Sequence, residues 1–174
     1  KLEAEEEVEE EISAQTRGTV THFVLQKLFE PYRGKNIYAK NISEMQKDVI
    51  KLVDDGFNHY YPNGDTKFGK NHLIYKTTIK TIKNYLEAER KIVEQNQKNN
   101  IPLIIIDLEK RVEIFLDIVV NDSRSIKKTI KLRGNIDRID NCGSILRILD
   151  YKTGSIGPYE LNIKDFENIK IDKL

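Results

Sequence analysis

The amino-acid sequence predicts a mixed α/β fold in which a β-sheet is flanked by helices. Apolar residues recur at helical spacing through the first half of the chain, and the second half changes to shorter, strand-like segments. Helices followed by a meander of strands are typical of this fold class. Because 174 residues suffice for one well-developed core, we expect a single domain over residues 1–174.

The composition narrows the class of protein. Charged residues make up 33% and hydrophobic residues 39%, and the net charge of +1 creates no global field for a polyanion. Nucleic-acid binding would therefore need a local patch. The single cysteine, Cys142, excludes a disulfide within the chain and any four-cysteine zinc or iron–sulfur site. With no apolar run of about 20 residues and no signal peptide, we expect a soluble cytoplasmic protein without membrane contact.

The two ends of the sequence suggest a domain excised from a longer protein. The chain starts with Lys1, and KLEAEEEVEEE contains seven glutamates in eleven residues. We interpret residues 1–12 as an acidic lead-in segment, either a solvated helix or a linker. The final residues, DFENIKIDKL, remain amphipathic without a stop signal.

Three helices are predicted in the first half. The first covers residues 16 to 29 and is ended by Pro31. Ser43 with Gln46 three residues later forms a capping-box pattern, which predicts the start of the second helix. The third helix is predicted over residues 71 to 97.

Four strands are predicted in the second half. The sequence PLIIIDLE predicts one strand over residues 102–109, and VEIFLDIVV alternates strictly over residues 112–120. A third strand is predicted over residues 126–140. A four-residue turn, NCGS, then leads into a buried return strand over residues 145–152.

The predicted hairpin brings charged side chains together. If Asp140 pairs with Ile145 across the turn, Asp137, Asp150 and Lys152 project from one face of the sheet. Asp137 and Asp150 are then diagonal neighbours, with Cα atoms roughly 7–8 Å apart. A one-residue bulge at the turn would send Asp137 to the opposite face.

The charges in these apolar strands allow two interpretations. Buried carboxylates are costly unless a counter-charge compensates them, and a divalent metal would provide one. Mg²⁺ binds through one or two carboxylates, water and substrate phosphate oxygens. In the alternative, Asp150 and Lys152 form an ordinary surface ion pair worth roughly 0–1 kcal/mol.

Three segments resemble a known family. GNIDRID and ILDYKTG resemble the paired strand motifs of the PD-(D/E)xK nuclease superfamily, in particular the branch of RecB and AddB nuclease domains and CRISPR-associated exonucleases. RGTVTHFVLQKLFE is similar to the early histidine-bearing helix of that branch. The segments occur in the family's order and span residues 16–154. The resemblance implies a restriction-endonuclease-like core with a catalytic hairpin.

The resemblance also implies the roles of individual residues. His22, Asp137 and Asp150 would bind Mg²⁺ or Mn²⁺, with the main-chain carbonyl of Tyr151 as a further ligand. Lys152 would orient or activate the attacking water. A metal suits this chemistry because it stabilises developing negative charge and makes water nucleophilic at neutral pH.

Other charged residues are weaker candidates. The branch often carries a glutamate on the strand before the hairpin, for which Glu109 is the candidate and Glu113 the competitor. Arg138 alternates away from Asp137, which favours a structural ion pair with Asp140. The basic residues that could contact the DNA backbone, or could simply lie on a solvated edge strand, are Lys127, Lys128, Lys131 and Arg133.

The function implied is that of a metal-dependent DNA exonuclease, acting as the nuclease module beside a helicase domain or subunit in DNA repair or recombination. The chain departs from some relatives because one cysteine cannot hold their iron–sulfur cluster. The residues after Gly154 also contain no match to the Q-x-x-x-Y motif that the family usually carries there, so this motif either lies beyond Leu174 or is absent. The alternatives are an inactive nuclease-fold module that binds DNA or a partner subunit, and an interaction domain whose Asp–Lys pairs are structural.

Overall fold

The computed structural model describes residues 11–120 and 126–154. The predicted turn at 121–125, everything after Gly154 and nearly all of the acidic lead-in lie outside the described residues. Three helices precede a three-stranded sheet, which confirms the predicted α/β class. The elements are α1 (Ala14–Phe29), a 3₁₀ turn (Glu30–Tyr32), α2 (Ala39–Tyr60), α3 (Gly69–Lys98), β1 (Leu103–Val120), β2 (Ile126–Cys142) and β3 (Ile145–Leu149).

The first two helices begin at different signals. The Ser13 hydroxyl caps α1 by accepting a hydrogen bond from the Thr16 amide at 3.0 Å. The predicted start of α2 at Ser43 is wrong, because the helix begins one turn earlier, at Ala39. Ser43 instead lies inside the helix and donates its hydroxyl to the Ala39 carbonyl at 3.2 Å.

The core forms where the three helices pack on one another and on the start of β1. Gly56 allows α1 and α2 to approach closely, since a Cβ there would lie 3.0 Å from Val20. No helix in the described part of the chain is long and apolar enough to cross a membrane. The fully buried apolar side chains include Val20, Val24, Phe29, Ile37, Ile42, Val49, Val53, Ile82, Leu86, Leu103 and Ile105.

The first strand differs from its prediction. Residues 102–109 and 112–120 are not separate strands, because β1 runs without a break from Leu103 to Val120. A bulge lies between Ile105 and Asp107, and Glu109 has a φ of 47°. Both irregularities lie within residues 102–109, the first of the two predicted strands, and bulges of this kind re-aim neighbouring side chains.

The sheet is antiparallel in the order β1-β2-β3. The four-residue turn was wrong, since Cys142 pairs with Ile145 and only two residues connect the strands. The register therefore shifts by two residues, which keeps the paired residues of β2 and β3 on the faces predicted for them, whereas Asp150 and Lys152 lie beyond the end of β3. The return strand is also not buried, because Ile148 at its centre is 66% exposed.

Candidate metal centre

The side chain of His22 contacts residues from β1, from β2 and from the segment after β3. The residue lies on the middle turns of α1, and its imidazole reaches towards β1, β2 and the segment after β3. The Nδ1 atom lies 3.3 Å from Asp137 Oδ1 and 3.5 Å from Glu109 Oε1. On the other side of the ring, Nε2 lies 2.9 Å from the carbonyl oxygen of Tyr151.

The two carboxylates face each other across the sheet. The pairs Leu108–Arg138 and Lys110–Ile136 flank them, which places Glu109 opposite Asp137 and on the same face. Asp137 is only 5% exposed, and its Oδ2 accepts a hydrogen bond from the Tyr151 amide. One ligand atom each from His22, Glu109 and Asp137 lies within 4.8 Å of the others.

The charges of this cluster are not balanced by protein cations. Desolvation raises the pKa of the Glu109 carboxyl, and the charge of Asp137 raises it further, while His22 acts in the opposite direction. Within the described ranges, no lysine or arginine forms an ion pair with Glu109 or Asp137. Two carboxylates and an imidazole are suitable donors for a divalent cation of the Mg²⁺ or Mn²⁺ type, whereas the Tyr151 carbonyl lies at the opposite edge of the ring, beside Nε2.

Asp150 and Lys152 lie outside this cluster. Their side chains form an ion pair with each other, with Lys152 Nζ 2.7 Å from Asp150 Oδ2; the Asp150 side chain is 57% exposed and the Lys152 side chain 61%. The expectation of a buried Asp150 is therefore wrong for this conformation. The segment 150–152 nevertheless contacts the cluster through its backbone. The Tyr151 amide donates to Asp137, and the Tyr151 carbonyl lies beside His22.

A comparison with known protein families shows which family the chain belongs to. The sequence profile described as PD-(D/E)XK nuclease superfamily matches residues 1–167. The chain belongs to the PD-(D/E)XK nuclease superfamily. No curated protein and no solved structure matches the chain significantly. Membership in this superfamily indicates nuclease activity on DNA with a divalent metal, and the helices and antiparallel sheet agree with its restriction-endonuclease-like fold.

The ring of Tyr151 holds the segment after β3 against α1 and α3. Its ring packs edge-on against His22, with centroids 5.9 Å apart, and against Tyr85, with centroids 5.4 Å apart. Burial raises the pKa of the Tyr151 hydroxyl, so the side chain stays neutral. Because the ring is fixed on both sides, the main-chain carbonyl beside His22 is held in place.

On the other side of β2 lies a buried ionic network. Arg138 donates to Asp140 at 2.6 Å and to Glu89 of α3 at 2.5 Å, which confirms the predicted ion pair. Burial opposes the charge of Arg138, but Tyr85, Glu89 and Asp140 outweigh it and raise the pKa of the guanidinium. Arg147 adds a second hydrogen-bonded pair with Asp140.

Two concave surfaces meet at the cluster, and both include Glu109. One is lined by α1 residues and Tyr60, and the other by the β1 and β2 residues beyond Asp137. Sequence patterns did not single out Tyr60 or Gln26. Tyr60 belongs to no motif-bearing segment, and Gln26 lies in the segment of His22 at a position to which the resemblance assigns no role. The remaining histidines lie elsewhere: His59 is exposed, and His72 is bonded to the Thr66 carbonyl.

Proposed function

We propose that the chain is a nuclease that hydrolyses DNA phosphodiester bonds with Mg²⁺ or Mn²⁺ held by His22 and Asp137. The Tyr151 carbonyl would join these ligands only after leaving its contact with His22 Nε2. Asp150 and Glu109 are the candidates for the remaining protein ligand. The observation that carries this proposal is the convergence of an imidazole and two carboxylates that, within the described ranges, no lysine or arginine pairs with. Such a cluster is stable when an external cation joins it.

The bound metal would make water nucleophilic and stabilise the charge that develops on the phosphate. The protein would position the metal ion and the attacking water. His22 and Asp137 are held by α1, β2 and the Tyr151 backbone, and Lys152 would orient the water. Asp150 would have to leave its ion pair with Lys152 to join the ligands. Since an exposed pair is worth roughly 0–1 kcal/mol, a metal ion would displace it at little cost.

We further propose that the nuclease is an exonuclease module working beside a helicase domain or subunit in cytoplasmic DNA repair or recombination. The support is the likeness of GNIDRID, ILDYKTG and the His22 helix to the RecB and AddB branch. An end-labelled linear duplex and a covalently closed circle of the same sequence test this. An exonuclease degrades the linear DNA and spares the circle, whereas equal cleavage of both identifies an endonuclease.

The metal-dependent reaction is tested with purified protein and labelled DNA. We expect cleavage in Mg²⁺ or Mn²⁺, none in excess chelator, and recovery when metal is restored. Asp150→Ala and Lys152→Ala should each lower the rate about 100-fold or more, because each removes a group acting at the developing charge. Glu94→Ala removes an exposed carboxylate on α3 and is the matched control. Cleavage that is unaffected by chelator and by both site variants would refute the proposal.

One observation favours a second candidate, a nuclease fold that binds DNA or a partner subunit without cutting. Asp150 and Lys152 satisfy each other outside the cluster, as expected for a structural pair. Calorimetry with Mn²⁺ separates the two candidates. A folded chain that binds DNA but takes up no Mn²⁺ supports the binding module, and stoichiometric Mn²⁺ uptake supports the enzyme.

A further inference from the structure

Beyond the metal centre, β1 and β2 continue as a two-stranded arm. Their register is unbroken from the pair Lys110–Ile136 to the pair Val120–Ile126. The third strand does not accompany them, because its last pair is Leu149 with Arg138. We use the name arm for residues 110–120 and 126–136.

The two faces of the arm differ in chemistry. Since side chains alternate along a strand, the face that carries Glu109 and Asp137 continues through every second residue of both strands. On this polar face lie Arg111, Glu113, Phe115, Lys131, Arg133 and Asn135. On the opposite, apolar face lie Val112, Ile114, Leu116, Ile130 and Leu132.

The polar face of the arm carries an excess of positive charge. Three cations surround the single carboxylate of Glu113: Lys131 at 2.7 Å, Arg133 at 3.3 Å and Arg111 at 3.6 Å. Asp117 lies further along the same face and accepts a hydrogen bond from Thr129, so three positive charges face two negative charges among the described side chains of this face. A chain with a net charge of only +1 therefore concentrates positive charge on the surface that leads away from the proposed metal centre.

This surface is continuous with the proposed site. Arg111, Arg133, Gly134 and Asn135 line a concavity whose remaining wall is Glu109 of the cluster. A phosphate backbone lying in it would pass from the two arginines directly to the carboxylates.

Phe115 adds an aromatic surface to the same face. Its side chain is 63% exposed, and the ammonium of its cross-strand partner Lys131 lies 5.4 Å from the ring centroid. It follows Glu109 by six strand residues, a distance of about 20 Å. An exposed ring beside cations stacks on bases that are unpaired, whereas the bases of a duplex are already stacked.

We propose that the polar face of the arm binds a single-stranded segment of DNA and directs it to the metal centre. Arg111 and Arg133 contact phosphates, and Phe115 stacks on a base. Binding by the arm stands on its own observations, while its role in cleavage rests on the proposed nuclease function.

The arginine contacts are tested by fluorescence anisotropy with a labelled oligothymidylate in chelator, where no cleavage occurs. Arg111→Gln/Arg133→Gln should weaken binding at least about tenfold and lower the slope of log K against log salt concentration by about 1.4, or about 0.7 per phosphate contact. Lys110→Gln/Lys128→Gln removes the same charge from the opposite face of the same arm and should change binding little. Equal losses in the two double variants, or none in either, would overturn the proposal.

The stacking contact is tested in the same assay. Phe115→Ala should weaken binding of the single strand about tenfold, and Phe115→Tyr should restore it, because a phenol ring also stacks. A blunt duplex should bind less tightly and be insensitive to Phe115→Ala. Duplex binding that is tighter than single-strand binding, or an unaffected Phe115→Ala variant, would contradict the assignment. Mn²⁺ calorimetry on the same samples reports on the proposed nuclease function separately.

Discussion

Two groups of charged side chains lie on opposite faces of β2, and they differ in how their buried charges are neutralised. Behind the strand, Arg138 and Arg147 offset Glu89 and Asp140, so that two cations meet two anions. In front of it, Asp137 and Glu109 share one imidazole.

The difference identifies which group is structural and which is open to a ligand. In the network around Arg138, the side chains of Arg138, Asp140 and Glu89 are buried and hydrogen-bonded to one another, and Arg147 closes the exposed side, so no place remains for another ion. The cluster around Asp137 has surplus negative charge and borders two surface concavities. Neighbouring residues of β2 therefore have separate roles. Variants in the network around Arg138 should mainly lower the stability of the fold, whereas variants in the cluster around Asp137 should mainly lower the rate of DNA cleavage.

The largest effect is expected from Arg138→Ala. Removing this guanidinium leaves Asp140 and Glu89 buried without their main partner, which should lower the free energy of unfolding by about 3–5 kcal/mol. Urea denaturation followed by circular dichroism measures it. Arg147→Ala is the control and should cost about 1 kcal/mol, because Arg147 is partly exposed and Asp140 keeps Arg138. Equal losses in the two variants would mean that the network is not organised around Arg138.

Asp137→Ala should lower the rate of DNA cleavage strongly and the stability of the fold only slightly. We expect the rate of DNA cleavage to fall about 100- to 1000-fold, since a proposed metal ligand is lost. The free energy of unfolding should change by about 1 kcal/mol or less, because the lost hydrogen bond to the Tyr151 amide is offset by reduced repulsion of Glu109. Initial rates and urea denaturation on one preparation measure both. A loss of stability as large as that of Arg138→Ala would assign Asp137 to the structural group.

A smaller effect is expected when the Asp150–Lys152 pair is broken. In metal-free protein, either alanine variant should change the free energy of unfolding by less than about 1 kcal/mol, as for other exposed ion pairs. Thermal denaturation in chelator measures this change. A loss of several kcal/mol would show that the pair is structural and would favour the non-catalytic module.

The smallest effect concerns pH. The pKa of Glu109 is raised in the folded chain, so the folded state holds this proton more tightly than the unfolded state does. Without metal, stability should therefore decrease as the pH rises from the ordinary glutamate pKa through the raised value. Glu109→Gln should remove that part of the decrease. Urea midpoints of both proteins across this window provide the test, and identical profiles would mean that burial and the charge of Asp137 do not raise the pKa of Glu109 in the folded chain.

The motif residues were predictable because each pattern is local. The helix bearing His22, the strand bearing Asp137 and the opposite orientation of Arg138 followed from periodicity and alternation. The error of two residues in register did not change the faces of the residues paired between β2 and β3. The bulge before Asp107 and the positive φ of Glu109 were not predictable. They depend on how β1 packs rather than on residue preference, and a glutamate seldom adopts that conformation.

Long-range contacts were also beyond the sequence. Glu89 of α3 pairs with Arg138, 49 residues away, and nothing in the surrounding helix distinguishes this glutamate from its exposed neighbours. The exposed position of Asp150 likewise depends on its partner Lys152 and on β3 lying at the edge of the sheet. Patterns gave the elements, whereas the pairing of charges required their three-dimensional arrangement.

The central claim is that the cluster around Asp137 holds a divalent cation. Crystals grown or soaked with Mn²⁺ test it directly through the anomalous scattering of the metal. We predict one anomalous peak within coordination distance of His22 and Asp137, with Glu109 or Asp150 as a further ligand. A map from a fully folded, Mn²⁺-saturated crystal with no peak between these side chains would contradict the account.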